Sequence, residues 1–93
     1  MSLKISIPTP LRRYTEGNGV IEVSGSSVSS AMDSLLQQYP SLKKQLYTDD
    51  GRLRSFVNVY LNDEDIRYLQ KVETAVSAGD TISIVPSIAG GAN

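Results

Sequence analysis

The chain has 93 residues, of which 40% are hydrophobic and 20% are charged, and its formal net charge is -1 at pH 7. This size and composition predict one small globular domain and argue against intrinsic disorder. The absence of cysteine and histidine excludes disulfides and removes the commonest catalytic base and metal ligand.

Two further classes of partner are unexpected. No basic stretch stands out, which argues against a nucleic-acid partner. No apolar run approaches membrane-spanning length, and the first residues lack the apolar region of a secretion signal, so we expect no membrane partner and a cytoplasmic location.

The first quarter of the chain predicts a hairpin. Leu3, Ile5 and Ile7 alternate with polar residues, which is typical of a half-buried strand. Residues 11–16 form a polar connection, and a turn rich in glycine follows it. Residues 20–23 then predict a second strand that pairs with the first.

One main helix follows the hairpin. Ser27 is a good N-cap, and the apolar residues after it recur at helical spacing: Val28, Ala31, Met32, Leu35, Leu36 and Tyr39. Pro40 ends the helix because it disfavours the α conformation in the preceding residue. Leu42 and Leu46 indicate one further short turn.

The second half of the chain is predicted to complete a sheet. Residues 56–61 form a third strand, residues 62–65 a turn, and residues 66–69 a short extended or irregular piece. A turn at residues 78–80 leads into a last strand over residues 81–86. A mixed sheet of four to five strands packed on one main helix is an α+β fold.

An acidic cluster at Asp63, Glu64 and Asp65 is the one candidate for a metal site. Its spacing lacks the alternating carboxylates and glycine of a calcium-binding loop. We therefore interpret it as a solvated turn and expect no metal and no cofactor in this chain.

The C-terminal tail is the most distinctive segment. We expect residues 1–86 to form the domain and residues 87–93 to form a flexible tail in which Gly90 and Gly91 precede Ala92 and Asn93. Fully extended, residues 87–91 span about 16 Å, and the glycines have no side chains to obstruct a narrow channel. The alternative is a frayed chain end without a function.

The chain resembles the ubiquitin-like β-grasp sulfur carriers (the MoaD/ThiS family), which include the molybdopterin synthase small subunit and the thiamine sulfur carrier. Residues 78–86 (AGDTISIVP) and 88–91 (IAGG) carry this match. Residues 6–12 and 56–67 (FVNVYLNDEDIR) are most similar to CysO-type carriers of cysteine biosynthesis. The resemblance implies a β-grasp fold and a protein co-substrate, not an enzyme.

The resemblance also implies a role for the tail. The family's active form ends at the second glycine, so a metalloprotease would have to remove Ala92 and Asn93 before Gly91 can act. An E1-like enzyme with ATP would adenylate Gly91, and sulfur transfer would make its thiocarboxylate. A cysteine synthase that carries pyridoxal phosphate would accept the sulfur, while Ile88, Ala89 and Gly90 occupy the partner's channel.

Alternation along the strands predicts a docking patch on the sheet. If the face of the third strand that includes Val57 and Val59 packs on the helix, Phe56 and Tyr60 lie on the open face, near Val85. We predict that Phe56, Tyr60 and Val85 dock partner proteins. The alternative is that they are isolated surface residues without a function.

Three other functions fit the same sequence. The chain could be a ubiquitin-like modifier that is joined to lysines through Gly91, since both functions begin with the same adenylate. It could be the small subunit of molybdopterin synthase. It could also be a β-grasp binding domain whose tail is never processed.

Overall fold

The structure is a computed structural model, and it describes residues 2–86. Within that range, five strands form one sheet: β1 (Ser2–Ser6), β2 (Val20–Ser24), β3 (Val57–Leu61), β4 (Glu64–Asp65) and β5 (Thr81–Pro86). The strand order is β2-β1-β5-β3-β4. β1 and β5 are parallel, and the other pairs are antiparallel. This mixed sheet confirms the predicted α+β class.

The main helix, α1 (Val28–Gln38), lies where the sequence predicts it. The Ser27 hydroxyl accepts the Ser30 amide N–H, and Ser30 Oγ accepts the Ser27 amide N–H, which forms a reciprocal cap. The helix ends before Tyr39 and Pro40 as predicted. A second helix, α2 (Leu42–Leu46), is a single turn whose two leucines are buried.

The core lies between the sheet and the helices. The buried side chains of α1 recur at helical spacing, and every second residue of β1, β2, β3 and β5 points into the same layer. The fully buried large side chains are Leu3, Ile5, Ile7, Met32, Leu35, Leu42, Leu46 and Ile82. Neither helix of residues 2–86 is long and apolar enough to cross a membrane.

The prediction of an irregular polar connection over residues 11–16, between β1 and β2, is wrong. The segment Thr9–Thr15 is a 3-10 helix. The Thr15 hydroxyl is bonded to the Asn18 carbonyl at 2.7 Å, and Arg12 Nε donates to the Ile7 carbonyl at 3.0 Å. These bonds satisfy backbone carbonyls locally, which stabilises a compact segment without a hydrophobic period.

The short strand also differs from its predicted position. Asn62 and Asp63 have φ values of 51° and 75°, so they alone make the turn, and Glu64 already pairs with Leu61. Asparagine and aspartate tolerate this left-handed conformation better than most residues, and it suits a two-residue hairpin turn. The following segment, Ile66–Tyr68, is a 3-10 helix and not an extended piece.

Gly25 is required by close packing between β2 and α1. A Cβ atom at this position would lie 2.7 Å from the Ala31 amide nitrogen and 2.7 Å from Ser30 Oγ. The Ser30 hydroxyl also accepts the Ser26 amide N–H at 3.0 Å, so it cannot move away without loss of the helix cap.

We therefore predict that Gly25→Ala lowers the free energy of unfolding by about 1–3 kcal/mol, because the added methyl group forces the cap and helix backbone to shift. Urea unfolding measures the change. The exposed neighbour Ser26→Ala is the matched control and should stay within about 0.5 kcal/mol of the parent. Equal stability of the Gly25→Ala chain and the parent would contradict this packing.

Candidate partner-docking site and C-terminal tail

The register of β3 and β5 defines which side chains reach the open face of the sheet. Val59 lies opposite Ile84, and Asn58 lies opposite Val85. Directly opposite residues of an antiparallel pair share a face. Val59 and Ile84 are buried in the core, whereas Val85 is 43% exposed. Val85 therefore lies on the open face, as the alternation predicts.

The other two residues of the predicted docking patch lie near Val85. Tyr60 pairs with Ser83 on the open face and is half-buried. Phe56 lies in the turn just before Val57 and is 48% exposed. Because Val57 pairs with Pro86, Phe56 adjoins the end of β5. All three patch residues are at the surface, and their role in docking stays a prediction.

The predicted tail site follows Pro86 and lies outside residues 2–86. Pro86 is the last described residue, and it belongs to a strand paired on both sides, with β1 and with β3. The predicted tail residues Ile88, Ala89 and Gly90, the predicted reactive Gly91, and the predicted cleaved residues Ala92 and Asn93 lie outside the described residues.

Asp80 anchors the start of β5. Its carboxylate accepts the Ser77 amide N–H at 2.8 Å and the Asn62 side-chain amide at 3.1 Å. The Asn62 side-chain oxygen in turn accepts the Thr81 amide N–H at 2.9 Å. Gly79 supplies a φ of 88°, which suits glycine. The Ser77 amide and then the Asn62 side chain lower the pKa of Asp80.

Asp65 shows that residues 63–65 are not simply a solvated turn. Its side chain is only 6% exposed, and Arg67 Nη2 donates to its Oδ2 at 2.7 Å. The Arg67 amide N–H also donates to Oδ1 at 2.9 Å. The side-chain hydrogen bonds from Arg67, and then its backbone N–H, lower the pKa of Asp65.

Sequence reasoning missed Arg67 and Tyr68 as neighbours of the docking patch. Asp65 pairs with Tyr60 across β3 and β4, and the Arg67 that binds Asp65 is influenced electrostatically by Tyr60 and Tyr68. Tyr68 is 81% exposed. The available signal was Arg67 two residues after Asp65, with Tyr68 next to it. Arginine and tyrosine are enriched among the residues that contribute most to binding at protein interfaces.

We predict that Asp65→Asn makes the fold less stable at neutral pH and that this difference shrinks in acid. The folded-state pKa of Asp65 lies below its ordinary value of 3.8, so its charge stabilises the fold above that pH. The stabilisation is lost as the pH falls through the folded-state pKa. Urea midpoints at pH 7 and about pH 2 measure the effect.

The exposed neighbour Asp63 provides the control for this pH dependence. Asp63→Asn should leave the urea midpoint close to that of the parent at both pH values, because exposed substitutions change stability little. An Asp65→Asn chain whose deficit is the same in acid and at neutral pH would contradict a stabilising role for the carboxylate charge.

Comparison with known proteins identifies the family and agrees with the fold. A model of the ThiS family matches residues 5–91. The sulfur carrier protein CysO of Mycobacterium tuberculosis is 37% identical over 93 residues, which cover 98% of this chain and 100% of the relative. CysO in the crystal structure of the Amycolatopsis orientalis BexX/CysO complex has a TM-score of 0.86 and 38% identity, with 96% and 99% of the chains covered.

A modifier protein has a similar structure. The crystal structure of SAMP1 from Haloferax volcanii matches with a TM-score of 0.85 and 26% identity, and the match covers 98% of this chain and 100% of that one. The fold and the strand that leads into the tail therefore define a ubiquitin-like β-grasp protein. More particularly, the chain belongs to the ThiS family and is a CysO-type sulfur carrier, a carrier protein and not an enzyme.

Proposed function

We propose that the working group of this carrier is the C-terminal carboxylate of Gly91, which is freed when Ala92 and Asn93 are removed. The observation that carries this proposal is the extent of the family match, which begins in β1 and ends at Gly91, two residues before the end of the chain. A metalloprotease partner would hydrolyse the peptide bond between Gly91 and Ala92.

The chemistry that follows needs a partner enzyme. A Gly91 carboxylate oxygen attacks the α-phosphate of ATP, which releases pyrophosphate and forms an acyl-adenylate. A sulfide donor then attacks the carbonyl carbon, AMP leaves, and a thiocarboxylate remains on Gly91. Residues 2–86 contain no cluster of candidate metal ligands, and the whole chain has no cysteine or histidine, so activation is assigned to an E1-like enzyme.

The acceptor is proposed from the relatives. The thiocarboxylate sulfur is a nucleophile, and an aminoacrylate held on pyridoxal phosphate by a cysteine synthase is a matching electrophile. The CysO name of the relatives supports cysteine biosynthesis as the pathway. The BexX/CysO complex contains a relative together with another protein, which supports a protein partner for this chain. We propose a cytoplasmic location, with residues 1–86 as the domain and residues 87–93 as the tail.

We predict that the chain ending at Gly91 is adenylated and converted to a thiocarboxylate, whereas the 93-residue chain is not, because its reactive carboxylate is masked. Each chain is incubated with the adenylating enzyme of the same organism, ATP and a sulfide donor. Pyrophosphate release and intact mass report the two steps. A chain ending at Gly90 also ends in a glycine carboxylate and is the matched control.

The control shows whether the partner requires the carboxylate at residue 91 or accepts any C-terminal glycine carboxylate. We expect little product from the chain ending at Gly90, because its shorter tail places the carboxylate one residue short of the partner's active centre. Equal turnover of the chains ending at Gly90 and Gly91, or turnover of the 93-residue chain without a protease, would contradict the assignment to Gly91.

We predict that Tyr60→Asp weakens binding to the adenylating enzyme at least tenfold, because it places a charge in an apolar docking patch. Val20→Asp is the matched control. Val20 is 57% exposed and lies in the same cross-strand row as Tyr60, through Ser6 and Ser83, but three strands away. That separation is about 14 Å.

Affinity is measured by calorimetry after both variants are shown to unfold at the parent's urea midpoint. Val20→Asp should bind within about twofold of the parent, since small rim changes have little effect on interfaces. Unchanged affinity of the Tyr60→Asp chain would remove Tyr60 from the docking patch.

A second candidate function is protein modification. The match to SAMP1, a small archaeal modifier protein, favours it, and the same Gly91 adenylate would serve both functions. In this case the adenylate carbonyl is transferred to a lysine amine of a target protein, and AMP leaves. Isopeptide conjugates in cells, with no thiocarboxylate on the free protein, would favour this second function over the carrier.

A further inference from the structure

A groove lies along the outer edge of β3, on the side opposite β5. Its volume is about 520 Å³, and it is bounded by α1, by the loop over residues 47–55, and by the segment after β4. Its lining includes Val57 and Val59, which point to the core side of the sheet, and Asn58, which points to the open side. The groove therefore straddles the edge of the strand.

The edge is open because β4 is short. β4 pairs only with Tyr60 and Leu61, so among the described residues no strand lies beside residues 57–59 on that side. The Val57 amide N–H donates to the Arg54 carbonyl at 2.9 Å, within the preceding turn. The Val57 N–H is therefore already used, and the strand edge offers its remaining outward N–H and C=O groups to another chain.

The base of the groove is apolar. Val57, Val59 and Ile66 contribute buried aliphatic side chains, and the half-buried Leu53 and Val72 continue this surface along the lining. A cavity of this size with an apolar base falls in the range that holds peptide side chains or small ligands.

The rim of the groove is mainly cationic. Arg52, Arg54, Arg67 and Lys71 line it, against the two carboxylates of Asp33 and Asp65. Arg67 already neutralises Asp65. Arg52 Nε lies 3.8 Å from the carboxylate of Asp50, but a pair as exposed as this one is weak. The rim therefore keeps an excess of positive charge, which favours an anionic occupant.

Tyr47 adds a neutral polar group to the wall. Burial, with a smaller contribution from Asp33, raises the pKa of Tyr47 to about 12. Its hydroxyl therefore stays protonated at neutral pH and adds no negative charge.

We propose that this edge groove binds an extended acidic segment of a partner protein, which adds as a strand beside residues 57–59. Alternate apolar side chains of the segment would pack on Val57, Val59 and Ile66. Its carboxylates would lie near Arg52, Arg54 and Lys71. Backbone pairing supplies binding in this mode, and side chains that alternate between the two faces supply specificity.

This inference does not depend on the chemistry of Gly91. β5, the strand that precedes residues 87–93, lies on one side of β3, and the groove lies on the other.

A displayed library of random ten-residue peptides, selected against the full chain, tests the proposal. We expect the selected peptides to be enriched in Asp and Glu that alternate with Val, Ile, Leu or Phe. Titration of the best synthetic peptide should shift the amide resonances of residues 57–59 and of the groove lining. Failure to enrich acidic peptides, or acidic peptides that map elsewhere on the chain, would overturn the proposal.

Charge-reversed variants test the role of the rim. The double variant Arg52→Glu with Lys71→Glu should bind the best peptide at least tenfold more weakly. The control, Arg13→Glu with Lys44→Glu, has the same net charge and alters exposed cations outside the groove lining, so it should bind within about threefold of the parent. Equal losses in both would mean a nonspecific charge effect and would contradict the groove.

Two checks complete the experiment. Both double variants must unfold at the parent's urea midpoint. If the Arg52→Glu, Lys71→Glu chain does not, the neutral double variant Arg52→Gln with Lys71→Gln takes its place. A copy of the peptide that is N-methylated at alternate residues, on the edge that would pair with β3, should lose binding because it can no longer form strand hydrogen bonds. Full affinity of that copy would contradict strand addition.

Discussion

The pairing of β5 between β1 and β3 is the constraint on which the rest of this molecule depends. Because β5 is central, its register decides which residues enter the core and which reach the open face. A shift of one residue would turn Ile82 and Ile84 outward and Val85 inward. The core, the docking patch and the point where the tail leaves the domain are therefore set by one strand.

Side-chain hydrogen bonds fix the start of β5, in addition to the strand pairing of its middle. The carboxylate of Asp80 and the side chain of Asn62 connect the β3–β4 hairpin turn to the first residue of β5. The turn that separates β3 from β4 thus also positions the strand that leads to Gly91. Gly79 and Asp80 each have a structural role here, since Gly79 makes the turn and Asp80 binds the groups that hold it.

Local sequence signals account for much of the fold. The limits of α1 follow from a serine cap and a proline, and β1, β3 and β5 follow from alternation of apolar residues. The segment Thr9–Thr15 escaped prediction because hydrogen bonds from Arg12 and Thr15 hold it and no hydrophobic period marks it. Two residues of β4 are too few to show an alternation, so the edge groove beside β3 could not be foreseen.

The candidate site also contains residues that the sequence predicts and residues that it does not. Alternation alone assigned Val85 and Tyr60 to the open face, and resemblance to a family assigned the reactive position to Gly91. Arg67 and Tyr68 depend on the Tyr60–Asp65 pairing across a short hairpin, which only the three-dimensional structure brings together. In the function that we propose, the domain would contribute surfaces and a chain end, and partner proteins would contribute the reactive groups.

The sharpest test of a carrier role for Gly91 is the intact mass of the protein isolated from its native cells under sulfur demand. We expect a chain that has lost Ala92 and Asn93 and that carries sulfur in place of one oxygen on the Gly91 carboxylate. A chain that still ends at an unmodified Asn93 under those conditions would contradict it.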